Sequence, residues 1–145
     1  MTIRVQRRVP AAQLAVWEAW LNLPQWSSWA PGVRQVEVDW TGDPPPGGSA
    51  RLQTATGWRR YEVTAVHPPE TWTWRWRLGP WTVTAHHHLQ DRGDATTEAA
   101  ILVSFDGPAG TVAETVARLG LRPVLARRLA ALADLFRDGS AGTVA

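Results

Sequence analysis

Residues 58–89 read WRRYEVTAVHPPETWTWRWRLGPWTVTAHHHL, and the strict alternation of apolar with polar side chains marks strands rather than helix. Trp72, Trp74, Trp76 and Leu78 fall on one face, with Thr71, Thr73, Arg75 and Arg77 on the other. Gly79-Pro80 makes a turn, after which Trp81, Val83, Ala85, His87 and Leu89 continue the first face. A two-residue turn there sets Leu78 opposite Trp81, Trp76 opposite Val83, Trp74 opposite Ala85 and Trp72 opposite His87. Opposed residues then share a face without adjustment.

Working back through the His67-Pro68-Pro69-Glu70 turn places Ala65 opposite Trp72, Val63 opposite Trp74 and Tyr61 opposite Trp76. The reverse face holds Glu62 opposite Arg75, an opposite-charge pair. A Thr56-Gly57 turn adds a strand with Leu52 opposite Tyr61 and Ala50 opposite Val63. On the far side, a two-residue loop would bury Glu98, whereas a bulged three-residue loop around Arg92-Gly93 brings Ala99, Ile101, Val103 and Phe105 inward. The product is an antiparallel meander, aromatic on one side and charged on the other. Each tryptophan covers roughly 150 to 250 Å², so something must lie over that face.

At 145 residues the chain is expected to be one domain, spanning 1–145, and long enough to bury roughly 68 to 70% of its unfolded surface. It has no cysteine, which excludes thiolate catalysis and cysteine zinc sites. No basic-then-apolar leader is seen, and nothing approaches the roughly 20 apolar residues of a membrane span, so the expected location is cytoplasmic. All 15 basic residues are arginine, yet the net charge is only +2, weak grounds for a polyanionic partner.

Before the meander, Thr2–Val9 alternates as a first strand, and Pro10 suits entry to a helix from Ala11 to Leu21. PQWSSWA (24–30) reads as a second short helical turn, and Val33 to Trp40 as extended chain. GDPPPGG (42–48) is a loop. After the Gly107-Pro108-Ala109-Gly110 break, Thr111 to Arg137 reads as helix. Leu121, Leu125, Leu129, Leu132 and Phe136 form its apolar stripe, with a kink or separate short helix expected before residue 122 because of Gly120 and Pro123. That helix is the cover the sheet needs. The expected fold class is α+β: a curved seven-stranded antiparallel sheet gripping a long C-terminal helix, with two short helices between strands one and two.

Three stretches resemble the START-like or Bet v 1-like superfamily of the polyketide cyclase/dehydrase type. They are Val16-Trp17, LPQWSSWAPGV (23–33) and EVTAVHPP (62–69), and the likeness in element order runs the whole chain. These are architectural patterns, not catalytic signatures. The resemblance implies a cavity between sheet and helix for a hydrophobic small molecule. Members include lipid carriers, hormone receptors, quinone-binding proteins, aromatase/cyclases and chaperone regulators.

Within such a cavity the expected lining is Tyr61, Trp72, Trp74, Trp76, Val83, His87 and Ile101 from the sheet, with Leu125 and Leu129 from the helix. Trp74 and Trp76 sit mid-sheet, and Trp72 nearer one end. His87 is the inward residue whose ordinary pKa lies near neutrality, so it and Tyr61 are the candidates for proton transfer; the competing reading of His87 is a hydrogen-bonded interior histidine. Arg34, and with the same ambiguity Arg7, has the parity to point inward and hold a carboxylate or phenolate. His86 and His88 share the solvent face, too few ligands for zinc, so no metal is expected. No GxGxxG, P-loop, GxSxG or HExxH occurs, and no cofactor is expected.

The favoured function is a carrier or sequestering protein for an aromatic or polycyclic ligand. The alternative is a polyketide cyclase or aromatase that folds a poly-ketone chain in the same cavity. A protein-interaction module ranks lower, and a nucleic-acid partner is not expected because Arg75 and Arg77 lie on the opposite face from the tryptophans. A homodimer through Trp40 or Trp58 is allowed.

Overall fold

The computed structural model describes residues 2–108 and 112–137, of which 112–114 and 116–118 are described by backbone alone. Ala109 and Gly110 of the expected break, and Thr111 of the expected helix, lie outside these residues. Seven strands and three helices follow one another as β1 (Thr2–Val9), α1 (Gln13–Leu21), a 3₁₀ turn (Leu23–Gln25), α2 (Trp26–Trp29), β2 (Gln35–Val38), β3 (Ser49–Thr54), β4 (Gly57–His67), β5 (Thr71–Leu78), β6 (Trp81–Gly93), β7 (Thr96–Asp106) and α3 (Val112–Asp134). The strands form one antiparallel sheet in the order β1-β7-β6-β5-β4-β3-β2. This is the helix-grip architecture the alternation implied.

The β5–β6 hairpin turns at Gly79-Pro80 with every expected partner in place: Leu78 faces Trp81, Trp76 faces Val83, Trp74 faces Ala85 and Trp72 faces His87. Glu62 faces Arg75 and binds it at 2.8 Å on the outer face. Trp72, Trp74 and Trp76 are buried whereas Arg75 and Arg77 are exposed, so the aromatic face is the inner one.

Three details of register differ from expectation. The β3–β4 turn is Ala55-Thr56, which sets Ala50 opposite Tyr61 and Leu52 opposite Arg59. A slide of two residues keeps every side chain on its face, so alternation carries no information about it. In β4 a bulge between Val63 and Ala65 shifts the chain by one, and Val66 instead of Ala65 meets Trp72. At the β6–β7 end the expected bulge is present between Asp91 and Gly93, but the turn itself is Asp94-Ala95, with φ of 54° and 53°. Positive φ at both central residues is the mirror-image turn that suits strand twist.

The helix α3 runs through Pro123 as one element, so of the expected kink or separate short helix before residue 122 the separate helix is not found. Proline deprives the carbonyl four residues earlier of its partner; here that carbonyl belongs to Leu119, an exposed residue, so the lost bond does not fall in the core. The backbone of α3 packs chiefly along β1, and the Arg122 guanidinium donates to the Arg4 carbonyl at 3.1 Å. The tryptophan-bearing strands β4 and β5 thus lie farther from the helix axis, and large side chains bridge the interval. Leu125, Leu129 and Leu132 fill the helix's share of the core at 0–2% exposure.

The short helices close one end of the sheet. Thr97 donates its hydroxyl to the Ala11 carbonyl at 2.7 Å, and the Gln13 amide reaches the carbonyls of Pro69 and Leu89. The Trp26 indole donates to the Trp20 carbonyl at 2.9 Å, locking α2 to α1. Gly48 lets the Trp40 ring lie flat on the β2–β3 loop, since a Cβ there would stand 2.7 Å from it.

Candidate functional site

The inner face carries a continuous set of aromatic rings whose surroundings change along the sheet. At the end covered by α1 and α2, His87 stacks on Trp72 with centroids 3.7 Å apart and planes 6° from parallel. Trp20 meets both edge-on, at 5.1 Å from His87 and 6.0 Å from Trp72. The His87 Nδ1 bonds the Trp72 carbonyl at 3.1 Å, so this nitrogen carries the proton and donates it. Burial lowers the His87 pKa from 6.5 to about 3, a shift that the carbonyl bond opposes and that Arg128 and His86 reinforce. His87 is therefore a neutral imidazole enclosed by indoles, and its surroundings match the interior, hydrogen-bonded reading.

Farther along the same face, Tyr61 stacks on Trp74 at 4.3 Å and tilts against Trp76 at 5.0 Å. Trp26 touches Trp74 edge-on at 5.4 Å. Across from this wall stands Arg128 of α3, its guanidinium carbon 4.9 Å from the Trp26 ring centre. Tyr61 (9%), Trp76 (7%) and Arg128 (8%) each keep some exposure, whereas Trp20, Trp26, Trp72 and Trp74 keep 0–1%. Burial raises the Tyr61 pKa while Arg128 and Arg59 pull it down. Burial also lowers that of Arg128, opposed by Tyr61. The phenol and the guanidinium thus feel one another inside the protein.

Of the other expected lining residues, Val83 and Ile101 are fully buried, and Leu125 and Leu129 lie on the buried side of α3 at 1–2% exposure. Arg34 does not point inward: its backbone N–H continues the pairing to the Gln53 carbonyl at 2.8 Å, but the residue is exposed. A long basic side chain at a strand entrance extends to water, and Arg7 does the same. The inward arginine is Arg128, which sequence reasoning passed over. Its signal was present, for Arg128 stands three residues after Leu125 and four before Leu132, on the apolar stripe itself.

The outer face is chemically distinct. His86 bonds Thr73 there, Nδ1 to Oγ1, at 3.1 Å, and among the described residues no three metal-ligating side chains converge. A depression of about 740 Å³ is lined by Trp58, Arg59, Arg60, Glu62, Arg75, Trp76 and Arg77, among others. Trp58 carries the Arg51 guanidinium over its ring at 4.7 Å, so one tryptophan does share a face with arginines. Trp58 lies on β4, flanked by β3 and β5, rather than on a sheet edge, and Trp40 is half-buried beyond β2. Among the described residues no helix is long and apolar enough to cross a membrane.

Comparison with known proteins places this geometry. The family described as polyketide cyclase / dehydrase and lipid transport matches residues 1–137. No curated protein matches the sequence. Among solved structures, an uncharacterised protein from Bacillus thuringiensis superposes with a TM-score of 0.74 at 14% identity, covering 95% of this chain and 100% of that one. Norcoclaurine synthase from Thalictrum flavum, solved with dopamine and hydroxybenzaldehyde, gives 0.74 at 14% identity over 93% of this chain and 85% of its own. The di-domain ARO/CYC BexL from the BE-7585A biosynthetic pathway gives 0.74 at 13% identity, over 92% of this chain and 45% of BexL. At these identities the likeness is one of fold.

Proposed function

The chain belongs to the polyketide cyclase/dehydrase and lipid transport family, and from that premise we infer that it binds a hydrophobic, ring-containing small molecule between the sheet and α3, as a carrier or sequestering protein. One observation carries this reading. Tyr61, Trp76 and Arg128 keep 7–9% exposure, whereas Trp20, Trp26, Trp72 and Trp74 are sealed to 0–1%. Flat aromatic walls with a few polar groups are the usual lining of a small-molecule site, and Tyr61, Trp74 and Trp76 form such a wall. Native mass spectrometry of protein purified from its own host tests the reading. A ring-containing small molecule is expected to arrive with the chain; bare protein that also gives no heat with naphthalene derivatives in calorimetry contradicts it.

The cyclase alternative draws on the family description and on the Tyr61–Arg128 juxtaposition. Proton transfer would then fall to Tyr61. His87, neutral down to about pH 3, makes a poor acid or base near neutrality, where a matched pKa is most effective. Turnover of a poly-ketone lost in Tyr61→Phe with binding retained favours the enzyme; binding without turnover in the unaltered chain favours the carrier.

A further inference from the structure

Arg128 is a charged residue in a place where the described residues supply it with no counter-charge. It is 8% exposed and shares its side of α3 with Leu125, Leu129 and Leu132. One turn away on its own helix stand Val124, Leu125, Ala131 and Leu132, so the helix offers it no acid. The buried inner face of the sheet opposite carries aromatic and aliphatic side chains with His87 and Thr97, and no carboxylate. Among the described residues the ion pairs are Arg51–Glu37, Arg75–Glu62 and Arg137–Asp134, none of which reaches it. The Arg128 Nε is buried without a hydrogen-bond partner.

Its neighbours are the Trp26 ring and the Tyr61 phenol, both neutral. A cation over an indole face gains some electrostatic attraction, but it leaves the in-plane N–H donors of a guanidinium unused. Burying an ion that is unpaired is costly. A planar fork of donors facing an aromatic wall fits a carboxylate or phenolate oxygen held in the plane of a ring system.

We propose that Arg128 is the anion-binding residue of the ligand site proposed between the sheet and α3, and that the ligand carries an ionised oxygen on a flat ring system resting against Tyr61, Trp74 and Trp76. The proposal rests on the carrier reading and narrows it from any hydrophobic ring compound to an aromatic or polycyclic acid. With no anion beside it the charge is a stability cost, one that the ligand's anion offsets, which makes Arg128 a binding residue and not a structural one.

Isothermal titration of the full chain with 1-naphthoate and with 1-naphthamide at neutral pH tests this, since the probes share a ring and differ in charge. The unaltered protein is expected to bind naphthoate at least about tenfold more tightly, the scale of a charge-assisted hydrogen bond. Arg128→Met is expected to abolish that preference by weakening naphthoate far more than naphthamide, and to melt at an equal or higher temperature. Equal affinity of the unaltered protein for both probes overturns the proposal and leaves the carrier reading standing; binding of neither overturns the carrier reading itself. A lowered melting temperature in Arg128→Met, together with an unchanged preference in Arg128→Gln, shows a structural role and also overturns the proposal. The comparison in the unaltered chain depends on no variant folding.

Discussion

Trp72 and Trp76 stand on one strand, four residues apart and on one face, yet their surroundings have little in common. Trp72 is enclosed by His87, Trp20, Trp26 and Trp74, all within 6.2 Å ring to ring. The two helical segments that follow β1 exist, in packing terms, to close this end. Trp76 has Tyr61 as its ring neighbour, and Tyr61 in turn feels the charge of Arg128 on α3. The lesson is that one aromatic ladder serves two purposes: where α1 and α2 cover it, the rings are core, and where only α3 faces it from the β1 side, they form a wall. The chain spends its stability at the first end and its chemistry at the second.

The largest separation of the two ends is expected in stability. Trp72→Ala should cost about 3 to 5 kcal/mol in urea unfolding, as for other sealed aromatics. Trp76→Ala should fall below about 3 kcal/mol, because its site already reaches solvent and collapses or hydrates more easily. Equal losses at both positions would erase the distinction.

Acid titration sharpens the closed end. The folded chain holds His87 neutral to about pH 3, whereas the unfolded chain protonates it near 6.5. Its contribution is therefore whole above pH 6.5 and is lost as pH falls towards 3, on the order of 4 kcal/mol at about 1.4 kcal/mol per pKa unit. His87→Phe keeps a ring against Trp72 and should flatten the fall in unfolding free energy between those limits. A variant as acid-sensitive as the parent would show that the histidine is not sealed.

Binding gives the smallest of these effects and the most specific. Trp76→Ala should weaken 1-naphthoate about tenfold, within the usual worth of one stacked ring, while Val83→Ala, beneath the wall, should change affinity less than its stability. Calorimetry on both variants checks the ordering.

How much of this the sequence disclosed follows from which features alternate. The β5–β6 register was legible because Gly79-Pro80 fixes a turn between two runs of the same period. The β3–β4 slide was not, since a two-residue shift leaves every face unchanged. The β4 bulge at Thr64 has no glycine to announce it, and Asp94-Ala95 adopts a positive-φ turn without the usual glycine. At the site, the inward wall of Tyr61, Trp74 and Trp76 was readable from parity alone. Arg34 was misplaced because parity near a strand end does not hold a long side chain inward, and Arg128 was missed because an arginine on an apolar stripe was not asked what it was doing there.

The ten tryptophans give ten indole N–H reporters, and their nitrogen–proton correlation spectrum during addition of 1-naphthoate reads both ends of the ladder at once. The indole signal of Trp76 is expected to move with ligand concentration while those of Trp20 and Trp72 hold still. Movement confined to Trp20 and Trp72, or no movement at any inner-face tryptophan, would contradict the division of the sheet into a sealed end and a ligand-accepting one.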